Sequence, residues 1–158
     1  MAEGSVTDLA MPVVGPPPVA PSRYVVGDLE LSVHGVGLAC CAVEFEAAAV
    51  GQPGLEPVER DALTGRDAVP VLVVAGTVTD KLAPTVRRMY DELPEPRHVL
   101  SFGSCANSGG PYWDSYCVTK GVDQIIPVDV YVAGCPPRPE ALLDGLRRLG
   151  QLVARDRS

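Results

Sequence analysis

Five cysteines stand in this chain, and four of them share a local grammar. Cys40 and Cys41 are adjacent in Gly37-Leu38-Ala39-Cys40-Cys41-Ala42-Val43-Glu44. Cys105 sits in Gly103-Ser104-Cys105-Ala106-Asn107-Ser108-Gly109-Gly110, and Cys135 in Ala133-Gly134-Cys135-Pro136-Pro137-Arg138-Pro139. Each stretch ends an apolar, β-branched run with glycine or proline, so four thiols reach loop positions from three distant parts of the chain. Thiolates are soft ligands, and four of them suit zinc or an iron–sulfur cluster. Zinc usually draws its ligands in Cys-x2–4-Cys knuckles, and this chain has none. A tandem pair fits better on neighbouring irons of a bulky cubane. Small residues beside the thiols (Gly37, Ala39, Gly103, Ala106, Gly134) let backbone approach and offer N–H donors to sulfide. Against this stands the bland reading that cysteines are small buried hydrophobes. Cys117 lacks the glycine setting and reads that way, as a core thiol on a short amphipathic helix.

The elements that must position these thiols follow from periodicity. Tyr24 to Val36 alternates and contains a first strand leading to the cysteine pair. Cys41 to Val50 is rich in Ala and Glu and predicts a short helix, stopped near Gly51 and Pro53. Gln52 to Ala68 is polar and reads as a surface loop. Val69 to Gly76 is a near-continuous β-branched run, the pattern of a strand buried on both faces. Asp80 to Leu93 predicts a helix with Pro84 in its first turn and Pro94 and Pro96 beyond its end. Arg97 to Phe102 is the next strand, Tyr112 to Lys120 a short helix, and Gln124 to Val132 a further strand that Pro127 bends or delays. From Pro139 onward Leu142, Leu146, Leu149 and Val153 recur at helical spacing. Strand and helix thus alternate, which predicts an α/β fold with a parallel sheet covered by helices. In such sheets sites form beyond the carboxyl ends of the strands, where Cys105 and Cys135 fall.

Composition narrows the partners. At 158 residues and 46% hydrophobic the chain suits one α/β domain (23–158), preceded by a Pro-rich, flexible N-terminal arm (1–22) with five prolines. A net charge of −7 argues against nucleic acid. The longest apolar run, Ala68 to Val78, is about half a membrane span. Nothing resembles a secretory signal, so the thiols are expected to be reduced and available to metal. Without a Gly-x-Gly-x-x-Gly or P-loop, direct binding of NADH or another nucleotide is not expected.

Together, Gly37 to Glu44, Val74 to Thr79, Gly103 to Tyr112 and Pro127 to Leu142 resemble the B subunit of bacterial NADH:quinone oxidoreductase, respiratory complex I. The similarity runs from about Val36 to Leu149. The resemblance implies a flavodoxin-like fold, shared with the small subunit of nickel–iron hydrogenases. It also implies that Cys40, Cys41, Cys105 and Cys135 hold one 4Fe-4S cluster, the terminal one, which passes electrons to quinone. Those hydrogenases carry Cys-x-x-Cys at the first site, so the tandem pair favours the complex I branch. The expected setting is a proton-translocating complex at the cytoplasmic side of the cell membrane, with this chain peripheral. Its expected partners are the other peripheral-arm and membrane-arm subunits, above all the large subunit that shapes the quinone site. Two other readings remain: the small subunit of a hydrogenase-type membrane complex, and a cluster-free structural or assembly paralogue.

Departures from the family pattern cluster on the quinone side. The family's Arg-Tyr-Asp, Arg-Phe-Gly and Arg-x-Ser-Pro-Arg-Gln runs are matched by Gln52-Pro53-Gly54, Pro57-Val58-Glu59 and Leu63 to Ala68, where only Arg66 remains. Val36 replaces an aromatic, and Ser32-Val33 replaces Trp-Pro. A divergent second copy with its own partners, and an Arg66 that either turns toward the cluster or lies in solvent, are both consistent with this. Among the other polar residues, His34 can donate to the cluster or simply face water. Glu44 and Asp129 can relay protons or bond backbone. Arg87 and Arg88 suit a solvated helix face or a subunit contact.

Overall fold

A computed structural model of the chain describes residues 22–26, 29–37, 39–54 and 68–157. The N-terminal arm before Ser22 and most of the 52–68 loop, Arg66 included, lie outside the described residues.

The β-branched run at the centre of the chain becomes the centre of the sheet. Strand β3 (Val69–Ala75) is buried along its whole length. It lies between β2 (Leu29–Gly37) and β4 (His98–Phe102), parallel to both. Strand β5 (Val130–Val132) extends the parallel set, and β1 (Ser22–Val26) pairs antiparallel with β2 at the other edge. The five strands therefore follow chain order, β1-β2-β3-β4-β5. The expected parallel sheet flanked by helices is present, with one antiparallel strand added.

Alternation along the strands divides the core in two. Leu31, Val33, Val71, Val73, Leu100, Phe102 and Val132 face one side, where Phe45 and Ala48 of α1 (Ala39–Gly51) and Leu142, Leu146, Leu149 and Val153 of α4 (Pro139–Arg157) cover them. Leu72, Val74 and Val99 face the other, under Val86 of α2 (Ala83–Glu92), Ala106 of α3 (Ser104–Ser108), Val122 and Ile126. Each such Leu, Val or Phe contributes about 1.5–3 kcal/mol by leaving water. Helix α4 lies close on the sheet because residue 145 has no side chain: a Cβ there would stand 2.6 Å from Val132 Cγ2.

Four local expectations are corrected. The stretch from Tyr24 holds parts of two strands, because β1 folds back on β2 with Tyr24 opposite Leu31. Helix α2 begins at Ala83 rather than Asp80, since the N–H groups of Leu82 and Ala83 turn back to the Thr79 carbonyl at 2.9 and 3.0 Å. Tyr112 to Lys120 is not a helix. A 3-10 turn at Gly110–Tyr112 gives way to turns whose backbone bonds elsewhere, with Thr119 N to Val78 O and Asp80 N to Cys117 O, both at 2.9 Å. Long-range backbone partners outcompete the weak helix propensity of this Tyr-, Trp- and Ser-containing stretch. Cys117 is consequently exposed rather than a core thiol. Strand β5 starts at Val130, after a 3-10 turn at Val122–Gln124, with the delay that Pro127 predicts.

Candidate metal centre

Parallel register brings the carboxyl ends of β2, β4 and β5 to one edge, and the cysteines leave the sheet there. Cys40 and Cys41 occupy the first turn of α1, immediately after β2. Gly103 then turns the chain from β4 into α3, which carries Cys105. Cys135 follows β5 in the Gly134-Cys135-Pro136-Pro137 turn. Two of the four thiols, Cys41 and Cys105, are buried, while Cys40 and Cys135 are exposed. Three of the four sit on helices rather than in open loops, Cys40 and Cys41 in the first turn of α1 and Cys105 on the short α3.

Burial and neighbouring thiols shape the chemistry of Cys41. Burial pushes the Cys41 thiol up to about 12, and the charges of Cys40, Cys105 and Cys135 each push it the same way. A thiol at a helix N-terminus is ordinarily eased toward its anion. Here desolvation and like neighbours win, so free Cys41 keeps its proton and a metal must displace it. Among the described residues, no group of three or more His, Cys, Asp and Glu side chains is set to hold a metal ion.

The backbone around them has been cleared of side chains. A Cβ on Gly103 would stand 2.6 Å from Cys41 Sγ, and one on Gly110 would stand 3.0 Å from Cys105 Sγ. The donor set and this cradle fit a thiolate-held iron–sulfur cluster, whose several irons take separate sulfur ligands.

The remaining candidates separate clearly. His34 lies on the face of β2 opposite Leu31 and Val33, half-buried, with Nε2 3.3 Å from Ser32 Oγ; burial lowers its pKa. Glu44 lies on α1 one turn beyond Cys40. Asp129 does not flank the cysteine edge. It precedes β5 at the amino end of the sheet, accepting from Val99 N at 2.8 Å and returning its own N–H to Val99 O at 2.9 Å. Arg87 pairs with Asp91 at 3.2 Å and donates to the Ile125 carbonyl, and Arg88 reaches Glu92 at 3.9 Å, so both serve the surface of α2. Missed at the sequence level were Ser101, Ser104 and Asn107, which lace the Cys105 turn to the Cys135 turn. One signal existed: Ser101 interrupts an otherwise apolar run, and the structure buries it fully.

The chain is a parallel α/β domain with four cysteines at the carboxyl edge of its sheet. The structure resembles a chain of the membrane-bound sulfane sulfur reductase, an archaeal respiratory membrane complex. That match has a TM-score of 0.58 and 32% identity, over 77% of this chain and 68% of that one. A [NiFeSe]-hydrogenase chain from Dm. baculatum matches at TM-score 0.50 and 16% identity, over 77% and 62% of the two chains, a likeness of fold alone. In sequence, residues 34–149 match the family described as NADH ubiquinone oxidoreductase, 20 Kd subunit, and the chain belongs to that family. It is 56% identical over 131 residues to the B 2 subunit of NADH-quinone oxidoreductase from Streptomyces griseus, covering 80% of this chain and 54% of that one. It is 53% identical over 142 residues to the B 1 subunit of NADH-quinone oxidoreductase from Salinispora tropica, covering 85% and 73%. The chain thus spans about half the length of the first relative and about three quarters of the second.

Proposed function

We propose that this chain is an electron-transfer subunit of an NADH:quinone oxidoreductase, holding one 4Fe-4S cluster on Cys40, Cys41, Cys105 and Cys135. The observation that carries the reading is that four thiols from three segments of the chain follow the carboxyl ends of parallel strands β2, β4 and β5, around turns where Gly103 and Gly110 leave no room for a side chain beside Cys41 and Cys105. Relatives named as B subunits of NADH-quinone oxidoreductase, 56% and 53% identical to this chain, support that host complex. When bound, the cluster supplies one-electron transfer toward quinone.

The chain's own residues would supply position and shielding. Cys41 and Cys105 lie inside, where water is scarce, and Cys40 and Cys135 lie at the surface, where electrons would leave a bound cluster. Cys41 surrenders its proton when it ligates iron. Beside Cys105 the turn after α3 exposes Tyr112, Trp113 and Tyr116, with Tyr116 94% accessible. Such apolar exposure suits burial against a larger subunit. Among the described residues no helix is long and apolar enough to cross a membrane, so attachment to a membrane arm would run through partner subunits.

Anaerobically prepared protein is expected to carry about four irons and four sulfides per chain and a low-temperature EPR signal on reduction. One zinc without sulfide refutes the reading. The likeness to the sulfane sulfur reductase chain favours a second reading, in which the host complex reduces another acceptor. NADH-dependent quinone reduction by the purified complex supports the first; its absence alongside an intact cluster supports the second.

A further inference from the structure

Helix α3, which carries Cys105, spans five residues and is too short to be stable by its own hydrogen bonds. The side chain of Asn107 fastens it to the sheet. Its Oδ1 accepts from Ser101 Oγ on β4 at 2.7 Å, and its Nδ2 donates to Val132 O on β5 at 3.0 Å. The same Val132 carbonyl accepts from Gly103 N at 2.9 Å. One residue on, Ser104 donates twice to the Gly134 carbonyl, through N at 2.8 Å and Oγ at 3.0 Å. Four bonds thus join the Cys105 turn to two carbonyls just before Cys135. Positions two apart on a helix face different ways, so holding Asn107 against the strands fixes the direction in which Cys105 leaves them.

We infer that Asn107, braced by Ser101, is a positioning residue that sets the spacing of Cys105 and Cys135 before any metal arrives, so that half of the thiol set is preorganised. Toward the cluster this rests on the proposed function; toward the two turns it rests on the hydrogen bonds alone. Ser101 is fully buried between Leu100 and Phe102 on β4, and Asn107 Oδ1 accepts the hydrogen bond that its hydroxyl donates. The carboxamide is the chemistry required, since this position must accept on one side and donate on the other. An aspartate in its place keeps the acceptor and loses the donor.

The test compares Asn107→Asp and Ser101→Ala with Ser108→Ala, whose hydroxyl reaches only the Ser104 carbonyl at 3.4 Å on the exposed side of the same helix. Anaerobically prepared full chains are followed by EPR and by iron loss to a chelator, with circular dichroism to establish folding. Asn107→Asp is expected to shift the g values and to lose iron about tenfold faster, as outer-shell changes at metal sites do, while Ser108→Ala matches the parent. Parent-like g values and iron loss in Asn107→Asp overturn the inference. If Asn107→Asp does not fold, Ser101→Ala is read on the same two measurements with the same consequences. If the parent binds no iron, the cluster reading fails. Backbone hydrogen exchange at residues 103–109 of metal-free protein then decides the positioning role. Faster exchange in Asn107→Asp than in Ser108→Ala supports it, and equal exchange overturns it.

Discussion

Replacing Gly103 with alanine tests the geometry of the thiol edge more sharply than removing a thiol. Gly103 has φ +95 and ψ 161, a region that glycine alone occupies without strain. Forcing a side chain into it costs about 1–3 kcal/mol. The new methyl would also stand 2.6 Å from Sγ and 3.6 Å from Cβ of the buried Cys41. Overpacking of that kind costs a further 1–3 kcal/mol or so. Together these give about 2–6 kcal/mol, and at roughly 2–4 °C per kcal/mol for a chain of this size the melting temperature falls by about 4–24 °C.

Two other glycines calibrate the effect. At Gly145, within α4, the added Cβ would meet Val132 Cγ2 at 2.6 Å without backbone strain, so only the overpacking cost applies. At Gly35 it would meet Phe45 Cε1 at 3.5 Å, an ordinary contact. Thermal denaturation of the three alanine variants should therefore rank Gly103 as the most damaging, then Gly145, then Gly35. Iron content should fall with Gly103→Ala and stay level with Gly35→Ala. A melting temperature for Gly103→Ala equal to that of Gly35→Ala would refute the argument, since both strain and contact would then be absent.

Cys105→Ser is expected to lower the iron and sulfide content of anaerobically prepared protein, and Cys117→Ser to leave it unchanged, because that thiol is exposed and is not among the neighbours that perturb Cys41; equal loss in both variants counts against the ligand set. Leu146→Ala empties a fully buried position between α4 and the sheet, and urea unfolding should register a loss of about 2–5 kcal/mol. Asp129→Ala removes the acceptor of Val99 N and should cost about 1.5–3 kcal/mol in the same assay while leaving EPR g values alone, because Asp129 lies at the far end of the sheet. Trp113→Glu, at a residue 62% exposed, should leave the melting temperature in place and weaken co-purification of partner subunits; co-purification at parental levels would show that this patch faces water in the complex.

Much of the architecture could be read from the chain directly, for a physical reason. Burial on both faces demands an unbroken apolar run, and Val69–Ala75 is one; burial of one helix face demands the spacing of Leu142, Leu146, Leu149 and Val153. Glycine and proline placed the ends of these elements, and with them the positions of Cys40, Cys41, Cys105 and Cys135. Periodicity reports only how each element meets its surroundings on average. It failed between Gly109 and Lys120, where Thr119 and Asp80 find backbone partners 41 and 37 positions away, at Val78 and Cys117. Neighbours so far along the chain leave no local trace. The same limit hid the work of Asn107, an ordinary loop residue by type, whose two partners lie on different strands. Which thiols are buried, which are exposed, and that Cys41 feels all three others were decided by parallel register alone, because only the packed sheet sets the carboxyl ends of β2, β4 and β5 side by side.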